Sequence, residues 1–327
     1  MNVVRRLALV LAFIAAALAS ESSGQQTGKV HHIGLLSASS AAGLAPRVDA
    51  LRQGLRDLGY VEGKNLTIEY RWADDKYDRL PALAAELVRL RVDVIVTHGT
   101  PGALAAKQAT TTIPVVVALL GDPVVTGVVS SYARPGGNIT GQSFHFPEMM
   151  PKRIEVLKDA VPRLSRVALL RNPGNQANAS TVKVMEQIAR SLKVEPQVID
   201  VRGPAELDAA FSEMAKRRSE GLVVVDDSML ISHARAIAEL AARKRIPAIG
   251  SREFVVGGGL LAYAANIPEA WRRSAAIIDK VLKGAKPADL PIEQWDRLEL
   301  TINLRAAKAL GLTLPQSLMV RADHIIQ

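Results

Sequence analysis

Short apolar runs alternate with longer amphipathic segments along most of the chain. The run His32–Leu36 predicts a strand, and Pro46–Leu58 predicts a helix because its apolar residues recur at helical spacing before Gly59. The same alternation continues to an apolar strand at Val115–Leu119. Nearly continuous apolar strands separated by helices predict an α/β fold with a parallel sheet covered on both faces.

The alternation then starts again. Asn138–Gln142 closes the first set, Pro147–Ala160 predicts a helix, and strands and helices follow as far as Ala248–Gly250. We therefore expect two Rossmann-like lobes that share the closing segments of the chain. The predicted N-terminal lobe takes 30–142 plus about 264–291, and the C-terminal lobe takes 143–263 plus about 292–327.

The first 19 residues have the layout of a secretory signal peptide. Arg5 and Arg6 precede an apolar run from Leu7, and Ala17-Leu18-Ala19 is a small-x-small cleavage site. A membrane anchor is the alternative, but the apolar run is shorter than the ~20 residues that a spanning helix needs. Cleavage near Ala19 would leave 20–29 as a flexible lead.

Composition indicates the cellular compartment of the protein and limits the classes of partner that it is expected to bind. The chain has no cysteine, so it has neither disulfides nor a lipid-accepting cysteine, which favours a freely diffusing periplasmic protein. The net charge is +9, but the basic residues are dispersed and are not interleaved with aromatic residues. A basic solvated surface is therefore expected rather than nucleic-acid binding, and we expect a monomer that does not span the membrane.

Small polar loops follow the predicted strands, where open α/β sheets bind ligands. These loops are 37–40, 98–100, 121–123, 172–175, 226–228 and 251–253. Helix capping alone can explain any one of them, but six together favour a small-molecule cleft.

The stretch VTHGTPGAL at 96–104 is the most specific of these loops. Helix N-termini bind anions, but the chain lacks the P-loop pattern GxxxxGK[ST] that a nucleotide phosphate would need. The match to a dinucleotide pattern, at 257–262, precedes a strand-like stretch rather than a helix. Gly99 and Thr100 are therefore expected to bind a single carboxylate rather than a nucleotide phosphate.

Catalytic and metal-binding patterns are absent from the sequence. It contains no GxSxG, no HExxH and no cysteine nucleophile, and its six histidines lack metal-ligand spacing. His98 could act as a general base, but a neutral hydrogen-bonding role is favoured. We therefore expect no catalytic residue, no bound metal and no cofactor.

Several blocks along residues 30–327 give the chain a family resemblance. They include LRQGLRDLGYVEGKNLTIEYRWADDKYDRLPALAAELVRLRVDVIV, TPGALAAKQATTTIPVVVALLGDPV, ARPGGNITG and LTINLRAAKALGLTLPQSLMVRAD. The chain resembles the substrate-binding proteins of bacterial ABC transporters, in the branch that includes tryptophan-binding members. The resemblance implies a type I periplasmic binding fold, with two lobes joined by a three-segment hinge that closes on a ligand, and no enzymatic activity.

The resemblance also implies a set of ligand-binding residues, because amino-acid-binding members hold the carboxylate with hydroxyl and backbone N–H groups of the early loops. By matching loop these are Ser37, Ser39, Thr97, Gly99, Thr100 and Asp122 in the first lobe, and Asn172, Asn175, Asp226 and Ser228 in the second. His98, within the 98–100 loop, and Tyr263 complete the predicted ligand-binding set. Ala264-Ala265-Asn266 and Gln294-Trp295-Asp296 depart from the family pattern, and Trp295 could be either a ligand contact or a packing residue.

The leading hypothesis is a periplasmic receptor of an ABC importer that captures a small carboxylate-bearing solute, amino-acid-like or an aromatic acid. It would deliver this ligand to an inner-membrane ABC permease. Two alternatives stay open at this point: an exported α/β enzyme with His98 as general base, and a periplasmic ligand sensor. Multiple turnover of the ligand would distinguish the enzyme from the receptor.

Overall fold

The computed structural model describes residues 29–144 and 146–327. The predicted signal peptide, residues 1–19, and residues 20–28 of the predicted lead lie outside this range.

The first set of elements builds a parallel sheet. Its strands and helices are β1 (His31–Ser37), α1 (Ala41–Asp57), β2 (Leu66–Trp72), α2 (Leu80–Arg89), β3 (Val94–Thr97), α3 (Gly99–Ala109), β4 (Val115–Leu120) and β5 (Ile139–Phe144). A sixth strand, β11 (Glu293–Trp295), joins this sheet from far along the chain, which gives the order β11-β5-β4-β3-β1-β2. Each neighbouring pair in this sheet is parallel.

The second set builds a sheet of similar design. Its elements are α4 (Phe146–Ala160), β6 (Arg166–Arg171), α5 (Ala177–Ser191), β7 (Glu195–Asp200), α6 (Leu207–Lys216), β8 (Gly221–Val224), α7 (Ser228–Ser232), α8 (Ala234–Arg243), β9 (Ala248–Gly250), α9 (Arg252–Val256) and β10 (Leu261–Ala265). Two later strands, β12 (Leu298–Asn303) and β13 (His324–Ile326), complete the order β13-β12-β10-β9-β8-β6-β7. Only the pair β10–β12 in this sheet is antiparallel.

Three further helices complete the fold: α10 (Ile267–Leu282), α11 (Leu304–Leu310) and α12 (Gln316–Val320). Helix α10 packs along α1 beside the first sheet. The chain therefore passes between the lobes three times, between β5 and α4, between β10 and α10, and between β11 and β12. The expected α/β fold with two Rossmann-like lobes and a three-segment hinge is confirmed.

Helix α1 begins five residues before the predicted start at Pro46. Ser40 caps it, since its hydroxyl accepts a hydrogen bond from the Gly43 backbone N–H at 3.2 Å. Pro46 is thus inside the helix rather than at its first turn. Because the helix starts earlier, Arg47 lies in its second turn and on its buried side.

Trp295 proves to be a packing residue. It is 6% exposed in the core of the first lobe, and its indole N–H donates to the carbonyl of Arg297 at 2.9 Å. The Arg273 guanidinium lies 5.1 Å from the ring centroid. These contacts satisfy both the face and the polar edge of the indole.

Candidate ligand-binding site

A cavity lies between the two lobes, at the carboxyl ends of their strands. Its volume is about 70 Å³, several times the ~10–15 Å³ that one water molecule requires on the same measure. The first lobe supplies the β3–α3 loop, the end of β4 and one residue of α1, and the second lobe supplies the loops before α5 and α7. Four of the six strand-end loops predicted from the sequence therefore contribute to one cavity, and the loops 37–40 and 251–253 do not line it.

Half of the predicted ligand-binding residues line this cavity. They are His98, Gly99 and Thr100 from the first lobe, and Asn175, Asp226 and Ser228 from the second. The apolar part of the lining consists of Leu119, Leu120, Phe144, Ala177, Ile231, Ala265, Ile267 and Trp271.

Three predicted residues of the first lobe support the lining from behind. The Ser37 hydroxyl lies 3.1 Å from His98 Nε2, and the Thr97 hydroxyl donates to the carbonyl of Leu36 at 2.9 Å. The Ser39 hydroxyl donates across the cleft to the carbonyl of Ser228 at 3.2 Å.

The other three predicted residues make structural contacts outside the cavity lining. The Asp122 carboxylate accepts hydrogen bonds from the backbone N–H groups of the two residues after Pro123, which closes its own turn. Asn172 donates its side-chain amide to the carboxylate of Asp227 at 3.1 Å. Tyr263 contributes its backbone carbonyl to Arg153. None of the three is among the described residues that line the cavity.

His98 is held neutral by its surroundings. It is 5% exposed, its Nε2 and Nδ1 lie 3.1 Å and 3.4 Å from the hydroxyls of Ser37 and Ser228, and its ring centroid lies 5.3 Å from that of Trp271. Burial, with a contribution from the nearby Arg47 guanidinium, lowers the pKa of His98 from 6.5 to about 3. A general base works best when its pKa lies near the working pH, so this imidazole is poorly suited to proton abstraction.

The N-terminus of α3 faces the cavity through Gly99 and Thr100. This 11-residue helix has no side-chain cap at His98, so its first N–H groups keep their capacity to bind an acceptor. Gly99 has φ +66°, and a Cβ there would come within 3.1 Å of the Ser228 hydroxyl. The glycine therefore permits both the left-handed backbone and the close approach of the second lobe.

Asp226 forms a fully buried ion pair with Arg153. The guanidinium binds both carboxylate oxygens, at 2.8 Å and 3.0 Å, and it also donates to the carbonyls of Val224 and Tyr263. Burial raises the pKa of Asp226, and the charge of Arg153 opposes that rise. Four of the five N–H donors of Arg153 thus bind acceptors of the protein. The charge of Asp226 is balanced by this arginine.

Asp227 joins the lobes and starts α7. Its carboxylate accepts from the backbone N–H of Met229 at 3.1 Å, which caps the helix, and from the amides of Asn172 and Asn175. From the first lobe, the Tyr77 hydroxyl lies 2.9 Å from both oxygens. Burial raises the pKa of Asp227 and also that of Tyr77, where the adjacent carboxylate adds to the rise.

Further contacts across the cleft hold the lobes together. His233 Nε2 lies 2.7 Å from the Asp75 carboxylate, and Arg47 Nη2 lies 3.5 Å from a Glu253 carboxylate oxygen. With the Ser39 and Tyr77 hydrogen bonds, these contacts surround the cavity. The lobes are therefore closed against each other in this structure.

Sequence reasoning missed several cavity residues, of which Arg47 and Trp271 are the most prominent. Arg47 is 4% exposed and Trp271 is 0% exposed. Arg47 precedes Leu51 by four residues, so it lies on the same buried stripe of α1. An arginine on an otherwise apolar stripe was the available signal. For Trp271, its place in the amphipathic pattern of α10 indicated only packing.

The described residues contain no cluster of three or more metal-ligating side chains. Across the same ranges, no helix has both the length and the apolar composition that membrane spanning requires.

Comparisons with known proteins agree with this geometry. A model of the family described as "ABC transporter substrate binding protein" matches residues 32–326. A "Tyrosine-binding protein" of Clostridioides difficile (strain R20291) is 27% identical over 272 residues, which cover 82% of this chain and 78% of that protein.

Two solved structures share the fold. An ABC domain in complex with L-Trp from Streptococcus pneumonia has a TM-score of 0.83 at 24% identity, and the match covers 90% of this chain and 99% of that one. The ligand-free, open structure of a substrate-binding protein with adhesive properties from Clostridium difficile has a TM-score of 0.63 at 22% identity, with coverage of 91% and 100%.

The chain belongs to the ABC transporter substrate-binding protein family. Its fold is that of the periplasmic binding proteins, and the family consists of solute-binding proteins rather than enzymes. A small-molecule ligand and a membrane permease as partner follow from membership of this family.

Proposed function

We propose that this family member is the periplasmic receptor of an ABC importer. It captures a small carboxylate-bearing solute, amino-acid-like or an aromatic acid, between its lobes and presents the closed form to the permease. In this proposal the chain is exported with cleavage near Ala19 and acts as a monomer.

The closed cavity is the observation that carries this proposal. Both lobes contribute side chains to it, and hydrogen bonds from Ser39 and Tyr77 cross the cleft around it. A hinged two-lobe protein uses such closure to bury a ligand from both sides. The three crossings of the chain between the lobes provide the hinge.

Two features of the lining favour a carboxylate that is attached to an apolar body. The uncapped N-terminus of α3 offers N–H donors and a positive dipole end. Trp271, Phe144 and Ile231 offer apolar surface in the same cavity. The names of the tyrosine-binding relative and the tryptophan complex support amino acids as the first ligands to test.

The enzyme alternative receives no support. Its general base would be His98, whose low pKa disfavours proton abstraction at neutral pH, and the family consists of binding proteins.

A thermal-shift screen followed by calorimetry tests the proposal. The panel contains L-tyrosine, L-tryptophan, other amino acids, aromatic acids without an amino group, and neutral sugars as the matched class that lacks a carboxylate. At least one carboxylate is expected to raise the melting temperature by mass action and to be recovered unchanged after prolonged incubation. A shift with sugars but with no carboxylate would contradict the assignment, and multiple turnover would contradict the receptor function.

A further inference from the structure

We propose that Arg47 is the side chain that binds the ligand's carboxylate and makes the receptor prefer acids to their neutral amides. This inference rests on the proposed function, because it concerns the same cavity. It adds a specific anchor in α1 to the backbone N–H groups at the start of α3.

The two buried arginines beside the cavity differ in how their donors are satisfied. Arg153 is 0% exposed, binds both oxygens of Asp226 and donates to two backbone carbonyls. Arg47 is 4% exposed, and its nearest acidic group, Glu253, is 3.5 Å from Nη2, beyond the usual range for a charge-assisted hydrogen bond. No other hydrogen bond or ion pair joins the Arg47 side chain to the described residues.

A guanidinium carries five N–H donors in a planar fork that matches a carboxylate. Leaving such a group buried without acceptors is costly. Arg47 lines the cavity itself, so a bound carboxylate can supply acceptors in addition to the single long contact with Glu253. Arg153 is not among the lining residues, and four of its five N–H donors already bind the protein, so it has no such capacity.

The positive groups that line the cavity are concentrated on its first-lobe side. Arg47 and the N-terminus of α3, at Gly99, bring positive charge to the wall of the first lobe. The second lobe contributes Asp227 and also Asp226, whose charge is balanced by Arg153. A ligand carboxylate is therefore attracted to the first lobe.

Glu253 allows a competing explanation to be tested. One of its carboxylate oxygens is 3.5 Å from Arg47, and the other is buried without a hydrogen-bond partner in the described residues. If Arg47 and Glu253 acted only as an interlobe contact, loss of either residue would weaken every ligand equally. If Arg47 binds the ligand, removal of the Glu253 charge should strengthen acid binding.

Calorimetric titration of wild type and three variants decides between these explanations. The probes are the tightest-binding amino acid of the panel, L-tryptophan and L-tyrosine included, and its amide. Wild type should prefer the acid by about 10- to 100-fold, as a hydrogen bond to a charged group implies. Arg47→Gln should reduce that preference to within about threefold, through lost affinity for the acid. Arg52→Gln is the matched control, since Arg52 lies on the same helix but pairs with Glu62 outside the cavity.

Glu253→Gln provides a second readout that does not depend on the folding of Arg47→Gln. It should raise the preference for the acid, because Glu253 no longer competes for the Arg47 guanidinium. An unchanged acid preference in Arg47→Gln, or an equal loss of acid and amide binding in both variants, would overturn the role of Arg47 while leaving the proposed function in place. Failure of every carboxylate to bind wild type would instead overturn the proposed function and Arg47's role with it.

Discussion

Acidification should destabilise the closed protein through His98. The imidazole is buried between Ser37, Ser228 and Trp271 and has a pKa of about 3, against 6.5 when unperturbed. Between pH 6.5 and about 3, His98 is therefore protonated in the unfolded chain but neutral in the folded chain. Because the folded pKa is the lower one, this contribution to stability is complete above pH 6.5 and is lost as the pH falls towards 3.

The size of the effect follows from the two pKa values. At pH 5.0 the unfolded pKa lies 1.5 units above the solution pH, and each unit corresponds to about 1.36 kcal/mol. Lowering the pH from 7.5 to 5.0 should therefore reduce the free energy of unfolding by about 2 kcal/mol through this one residue. Other groups titrate over the same range, so a variant that lacks the imidazole is needed to isolate it.

The assay is urea unfolding at pH 7.5 and pH 5.0 for wild type and His98→Gln. Glutamine keeps a hydrogen-bonding group near the Ser37 hydroxyl but does not titrate. The variant is expected to have a lower free energy of unfolding at pH 7.5, and to lose about 2 kcal/mol less than wild type on acidification. Equal losses in the two proteins would refute the account of His98 as a buried neutral histidine.

Two further variants test the polar network at the cleft. Asp226→Ala leaves the Arg153 guanidinium buried without its counter-ion, so the free energy of unfolding in urea should fall by roughly 3–5 kcal/mol; a fall below about 1 kcal/mol would contradict the buried pair. Tyr77→Phe removes a hydroxyl that reaches Asp227 only when the lobes are closed, so ligand affinity measured by calorimetry should weaken about 10-fold or more. Unchanged affinity in Tyr77→Phe would show that this contact does not stabilise the closed form.

Much of the fold could be predicted because its buried strands are short apolar runs. β9 at Ala248–Gly250 matches the predicted bounds. The strand β11 at Glu293–Trp295 was not predicted, because its sequence EQW is not an apolar run and it pairs only along one edge of the first sheet. The sequence over 232–244 predicts a single helix, but the structure interrupts it at His233, which ends α7 and precedes α8.

The location of the cavity could also be predicted, but the charges around it could not. Strand-end loops such as 98–100 and 226–228 converge as parallel sheets require. The partner of Asp226 is Arg153, which lies on another element 73 residues earlier, and no local pattern indicates that pairing. A helix that starts at Pro46 would place Arg47 in an exposed first turn, whereas the observed start at Ala41 places it on the buried face.

The late arrival of β11 has a consequence for how this chain is made. The Thr140 hydroxyl in β5 donates to the carbonyl of Leu290, 150 residues later, just before β11 completes the first sheet. The N-terminal lobe therefore remains an incomplete sheet until nearly the whole polypeptide has been synthesised. Strand pairing over such sequence separations is slow. A chain that folds slowly stays unfolded for longer after synthesis. For the secreted protein that we propose, this discontinuity would extend the time during which the polypeptide can pass unfolded through a translocation channel.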